Sequence, residues 1–169
     1  VRCFEDGNII HVEGDVNPLR DIEIIETELI YADISQLEKK IDRLKKQSKS
    51  SKEAAASLLI AEDLFKHLEE LQPVKTYENN ENEVFIALDK ELRFLSNKDV
   101  IYGANVDEDS LADGGNKFVD ILKEHASNVN ADVILLCAKI EEELVGLEDE
   151  EATEFLADLG VSESGLEQI

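Results

Sequence analysis

Apolar positions in this chain recur at two different periods. Between residues 22 and 44 they fall at Ile22, Ile25, Leu29, Ala32, Leu37, Ile41 and Leu44, mostly three or four apart. That spacing keeps one face of a helix apolar for about six turns. Asn17 followed by Pro18 supplies a cap and a first helical residue, with Asp21 and Glu23 placed to complement the helix dipole. A helix over 18–46 would be about 40 Å long at 1.5 Å per residue. Ser48 to Ser51 interrupts the pattern, and a second stripe follows at Leu58, Ala61, Phe65, Leu68 and Leu71. The two helices, over 18–46 and 52–71, are expected to form an antiparallel hairpin. Pro73 ends the second helix in an Asn- and Glu-rich loop to Asn82, and Glu83 to Leu95 reads as a third helix.

Elsewhere the apolar residues run together. Val1 to Phe4 reads as the tail of a strand, and Ile9-Ile10-His11-Val12 is a short apolar patch between turns. Val100-Ile101-Tyr102-Gly103-Ala104 and Val133 to Leu136 are continuous apolar runs of strand length, each followed by a polar loop. Lys117 to Ala126, with Phe118, Ile121 and Leu122 on one side, is a helix between them. Two buried strands about thirty residues apart with a helix between fit a parallel α/β sheet, here interrupted by a helical insertion. Residues 141–159 read as mostly helical, with Gly160 as a stop.

Charge sharpens this division. The chain carries a net −23, yet Lys39, Lys40, Arg43, Lys45, Lys46, Lys49 and Lys52 stand against a single acid, Asp42, over residues 39–52. That segment is +6 and the remainder −29, so the charge is segregated, with the bases expected at the hairpin tip. Either the cluster contacts nucleic acid phosphate or it keeps a helix tip soluble. A chain of 169 residues that opens on Val1 and contains no Met reads as a piece of a longer protein. No run approaches the roughly 18 apolar residues of a membrane span. Cys3 and Cys137 share no metal or redox spacing and read as ordinary buried thiols.

The candidate chemistry lies at the strand ends. Ligands in parallel α/β sheets sit outside the carboxyl ends of the strands. Asn105 stands at the first such end and Cys137-Ala138 at the second. The Asn amide offers a donor and an acceptor to a base edge, although an Asn taken alone is more often a turn residue than a ligand. Asp107, Asp109 and Asp113 do not make a calcium loop, because Leu111 and Ala112 fill its fifth and sixth positions. They read as loop acids. His67 and His125 sit beside acids on helices and read as solvated; His11 lies in an apolar stretch, as a packed loop residue or as a movable one. No glycine precedes a lysine, so the chain contains no P-loop, and it is not expected to be a self-sufficient enzyme.

Several of these segments resemble the YchF/Obg-like ATPase family. The match is carried by Val1-Arg2-Cys3-Phe4-Glu5-Asp6, Ile9-Ile10-His11-Val12, Asn17-Pro18 with Asp21-Ile22-Glu23, and Thr27-Glu28-Leu29. It continues through Ala104-Asn105-Val106-Asp107-Glu108-Asp109 and Glu148-Asp149-Glu150-Glu151 with Leu159-Gly160, and is weakest over 76–98. The resemblance implies a translation-factor-type P-loop NTPase. Its partial parallel sheet would carry the inserted coiled-coil hairpin, with residues 1–16 and 98–169 in the nucleotide-binding domain and 17–97 in the insertion. The P-loop, the magnesium ligands and a TGS domain would lie outside this chain.

The same resemblance implies site roles. Asn105-Val106-Asp107-Glu108 stands where related GTPases carry Asn-Lys-x-Asp, and Glu108 replaces the acid that accepts from guanine. That change favours ATP, with Mg2+ as its companion ion. Asn105, Val106 and Glu108 would line one side of an adenine pocket, with Cys137 and Ala138 as the other wall. His11 would orient the attacking water, the role of a glutamine in Ras-type enzymes. The expected function is ATP hydrolysis coupled to ribosome binding in the cytoplasm, by a protein monomeric when intact. The basic tip, Lys39 to Lys52, would contact ribosomal RNA. The alternatives are a non-catalytic helical-hairpin interaction module and a GTPase of the same superfamily.

Overall fold

A computed structural model describes residues 1–5, 15–161, 163–165, 167 and 168. They divide into two compact units, one of Val1–Ile22 with Asp99–Ile169 and the other of Glu23–Lys98.

In the second unit the period-3.6 pattern becomes helix, with one change of face. Helix α1 runs Pro18–Gln47, α2 Lys52–Glu69 and α3 Glu83–Leu92. Asn17 accepts from the Arg20 N–H at 3.2 Å at the start of α1, and Ser51 accepts from the Ala54 N–H at 3.2 Å at the start of α2. The buried positions of α1 within this unit are Ile30, Asp33, Leu37, Ile41 and Leu44. Ile25 and Ala32, expected inside, are exposed. The stripe therefore passes through an acid, which a search for apolar residues skips.

These side chains share a core with Ala61, Leu64 and Leu68 of α2 and with Phe85 and Leu88 of α3. Asp33 is fully buried among them, and its carboxylate accepts from the Leu95 N–H (2.8 Å), the Ser96 N–H (2.8 Å) and the Ser96 hydroxyl (2.7 Å). The Val74 N–H donates in turn to Ser96 Oγ at 3.0 Å. One carboxylate thus satisfies the start of the single turn at Leu95–Asn97 and, through Ser96, reaches the turn at Val74–Thr76. The third helix ends at Leu92, three residues before the sequence pattern suggested, with Arg93 in the left-handed region. His67 is held by the Pro73 carbonyl and Thr76 Oγ1, each 3.1 Å from Nε2, so it is a structural link here.

The first unit is α/β. Strands β1 (Ile101–Asn105) and β2 (Asp132–Leu136) pair in parallel, with Ile101 opposite Asp132 and Asn105 opposite Leu136. On the other edge of β1 the chain start runs parallel to it: the Asn105 N–H donates to the Val1 carbonyl (2.8 Å) and the Cys3 N–H to the Asn105 carbonyl (2.7 Å). Between the strands lie a short helix α4 (Glu108–Ala112) and α5 (Lys117–Val129). Val119, Leu122 and Ala126 of α5 bury Tyr102, Ala104 and Val106 together with Cys3. His125 packs edge-on against Tyr102, with ring centroids 5.7 Å apart.

Asn116 fixes the entry to α5. Its Oδ1 accepts from the Phe118 and Val119 N–H groups, and its Nδ2 donates to the Cys3 carbonyl at 2.7 Å and to Ser110 Oγ at 2.9 Å. Gly115 precedes it at φ +136°, a backbone conformation that favours glycine, and a Cβ there would press on Val119 Cγ1 at 3.3 Å. The mostly helical stretch expected over 141–159 consists of two helices, α6 (Ala138–Leu144) and α7 (Asp149–Asp158). Gly146, at φ +99°, lies in the break. Both cysteines are free and buried, and burial pushes the Cys3 thiol up to about 11. Among the described residues no helix is long and apolar enough to cross a membrane, and no cluster of His, Cys, Asp and Glu could hold a metal.

Candidate functional site

The loops that leave β1 and β2 meet at the carboxyl edge of the sheet. Parallel pairing in register brings Asn105 beside Leu136, and the residue after β1 continues the contact: the Val106 N–H donates to the Leu136 carbonyl at 2.9 Å. The Asn105 side chain then crosses to the second loop, where Oδ1 accepts from the Ala138 N–H at 3.0 Å. With one lone pair of its carbonyl oxygen engaged in this way, the side chain keeps its NH2 group as a donor.

Each residue of the Asn105-to-Glu108 stretch has a distinct place. Val106 is 2% exposed and Cys137 3%, so both side chains belong to cores. Cys137 packs with Ile140 and Leu156. Asp107 caps α4, accepting from the Ser110 N–H at 2.8 Å, which is why the acids that follow form a helix and not a loop. Glu108 reaches across to pair with Lys139. That hydrogen bond, with the charge of Glu108, holds the Lys139 ammonium above its ordinary pKa.

Asn105, Glu108 and Ala138 therefore converge, joined by Lys139, which sequence reasoning did not single out. The partners lie 31 residues apart, and only the parallel register brings the two loops together. His11 lies outside the described residues. The basic residues of 39–52 divide. Lys40 is largely covered and binds Glu91 through both carboxylate oxygens at 2.6 and 2.7 Å, and Lys45 stands 3.7 Å from Glu62. Lys39, Arg43, Lys46, Lys49 and Lys52 are exposed, the last three at or beside the turn between α1 and α2. The cluster is thus spread along α1, with some of its charge spent inside the unit, and only its end lies at the turn between α1 and α2.

No protein-family model matches the chain. Among characterised proteins, the ribosome-binding ATPase YchF of Bacillus subtilis is 44% identical over 171 residues, covering the whole of this chain. The protein of the same name from Escherichia coli O157:H7 is 39% identical over 170 residues, again covering all of it. The chain is homologous to YchF from end to end. The solved structure of the Schizosaccharomyces pombe YchF GTPase superposes on 99% of the chain with a TM-score of 0.76 and 32% identity. That agreement extends the likeness to the fold, with its small parallel sheet and many helices. The chain spans 46% of the length of each of these YchF proteins. The bacterial relatives are named for ATP and the yeast structure for GTP, so base preference varies in name across YchF.

Proposed function

We propose that this chain is the base-recognition half and helical arm of a ribosome-associated ATPase. In this reading residues 1–16 and 98–169 belong to the nucleotide-binding domain. Residues 17–97 are its insertion, an antiparallel coiled-coil hairpin. The intact, monomeric protein hydrolyses ATP in the cytoplasm and couples nucleotide state to ribosome binding. Homology over the whole of this chain to proteins named ribosome-binding ATPase supports this. The structural observation that carries it is the Asn105–Ala138 hydrogen bond, which builds one polar wall from two strand-end loops.

The residues fit a purine. Asn105 Nδ2 donates to a ring acceptor, and the exposed Ala138 leaves room beside it. Val106 and Cys137 contribute the backbone that fixes the loops, and Glu108 bounds the site on the β1 side. The phosphates and Mg2+, which offsets their developing charge, belong to residues beyond this chain. His11 orients the attacking water. The exposed end of the basic cluster, Lys46, Lys49 and Lys52, contacts ribosomal RNA, with Lys39 and Arg43 adding to the field along α1.

A second reading is a non-catalytic interaction module, favoured by the separate core of the helical unit. A GTPase is the third, favoured by the name of the yeast relative. Co-sedimentation of the full-length protein with ribosomes, with ATP, with GTP and without nucleotide, separates them. Binding that responds to ATP supports the proposal. A response to GTP alone supports the third reading, and indifference to nucleotide supports the second.

A further inference from the structure

Glu108 stands at the edge of the proposed base site, where a free carboxylate would favour the wrong purine. A carboxylate accepts hydrogen bonds, and guanine offers it the exocyclic N2 amine, a group that adenine lacks. The greater length of glutamate sets it off the position from which the shorter acid accepts, but one left to swing there still offers that amine an acceptor. In the structure it is not free: Oε1 is bound to Nζ of Lys139, which rises from the facing loop one residue after the Ala138 N–H that holds Asn105. Lys139 is placed by the first turn of α6 and Glu108 by the first turn of α4, so both ends of the pair spring from fixed backbone.

We propose that Lys139 is a specificity-determining residue, which holds the Glu108 carboxylate away from the base and so disfavours GTP against ATP. The inference rests on the nucleotide reading above and adds to it a residue and a mechanism. The two side chains are partly exposed, 43% for Glu108 and 68% for Lys139, so the hold is a bias and not a lock. Removing Lys139 releases the carboxylate without altering Asn105 or the backbone of either loop. Removing the carboxylate makes the presence of Lys139 irrelevant to base choice.

The experiment is equilibrium titration of the full-length protein with ATP and with GTP, for the unchanged protein, Lys139→Ala, Glu108→Gln, and the two combined. Lys139→Ala is expected to move the GTP-to-ATP affinity ratio about two- to five-fold toward GTP, the scale an exposed ion pair supports. In the Glu108→Gln background the same change should leave the ratio where it was. A Lys139→Ala variant that weakens both nucleotides equally, or alters neither, overturns the specificity role while the nucleotide reading stands. Unchanged protein that binds neither nucleotide overturns both.

Discussion

The Asp33 carboxylate and the Ser96 residue it holds are separated by 63 positions and joined by two hydrogen bonds, one from the Ser96 N–H and one from its hydroxyl, inside a core that excludes water. The arrangement explains why a charged residue occupies a helix stripe otherwise made of Ile and Leu. An acid there satisfies backbone donors that an apolar residue would leave orphaned.

Asp33→Ala is therefore expected to destabilise the helical unit by about 3 kcal/mol, since it leaves several buried donors unmatched. Ser96→Ala should cost about 1–2 kcal/mol, and the double variant less than the sum, because both act on one network. Urea unfolding of the four proteins gives these numbers. Additive losses would show that the two residues act separately.

Tyr77 donates to the Asp63 carboxylate at 2.7 Å, and burial together with that bond pushes its hydroxyl up to about 12 from an ordinary 10. The folded state thus holds the phenolic proton more tightly than the unfolded chain. The resulting stabilisation is complete below pH 10 and is lost as pH rises from about 10 to about 12. Phenolate absorbance should include a late step near pH 12, and Tyr77→Phe should remove it. A titration in which every tyrosine ionises near 10 would contradict the assignment.

The division of the basic cluster gives its own expectation. Lys46→Glu, Lys49→Glu and Lys52→Glu together should weaken ribosome co-sedimentation of the full-length protein at least tenfold and flatten its salt dependence. ATP affinity should not move. Lys40→Ala, by contrast, should act through loss of its bond to Glu91, with its effect seen in unfolding. Equal losses of ribosome and nucleotide binding in the triple variant would refute the separation of the two surfaces.

Much of this fold was legible from spacing. Asn17-Pro18, the breaks at 48–51 and at Pro73, and the two apolar runs mark element ends within a few residues of those observed, because local rules govern them. The exceptions have long-range causes. The middle of the α1 stripe shifts, with Ile30 and Asp33 inside in place of Ile25 and Ala32, because a buried acid stands there and its partners sit 62 and 63 residues away. The acids after Val106 form α4 because Asp107 caps it, although so many carboxylates together resemble a loop. At the site, Asn105 and Ala138 were visible as strand-end residues. That Val106 and Cys137 turn inward, and that Lys139 answers Glu108, follows from pairing in space.

The central claim, that Asn105 organises a base site, is tested most directly by comparing ATP with inorganic tripolyphosphate as ligands of the full-length protein and its Asn105→Ala variant. Losing the bond to Ala138 and the donor to the base should weaken ATP about tenfold or more. Tripolyphosphate, which has no base, should bind both proteins alike. An Asn105→Ala protein that binds ATP as tightly as the unchanged one would contradict the account.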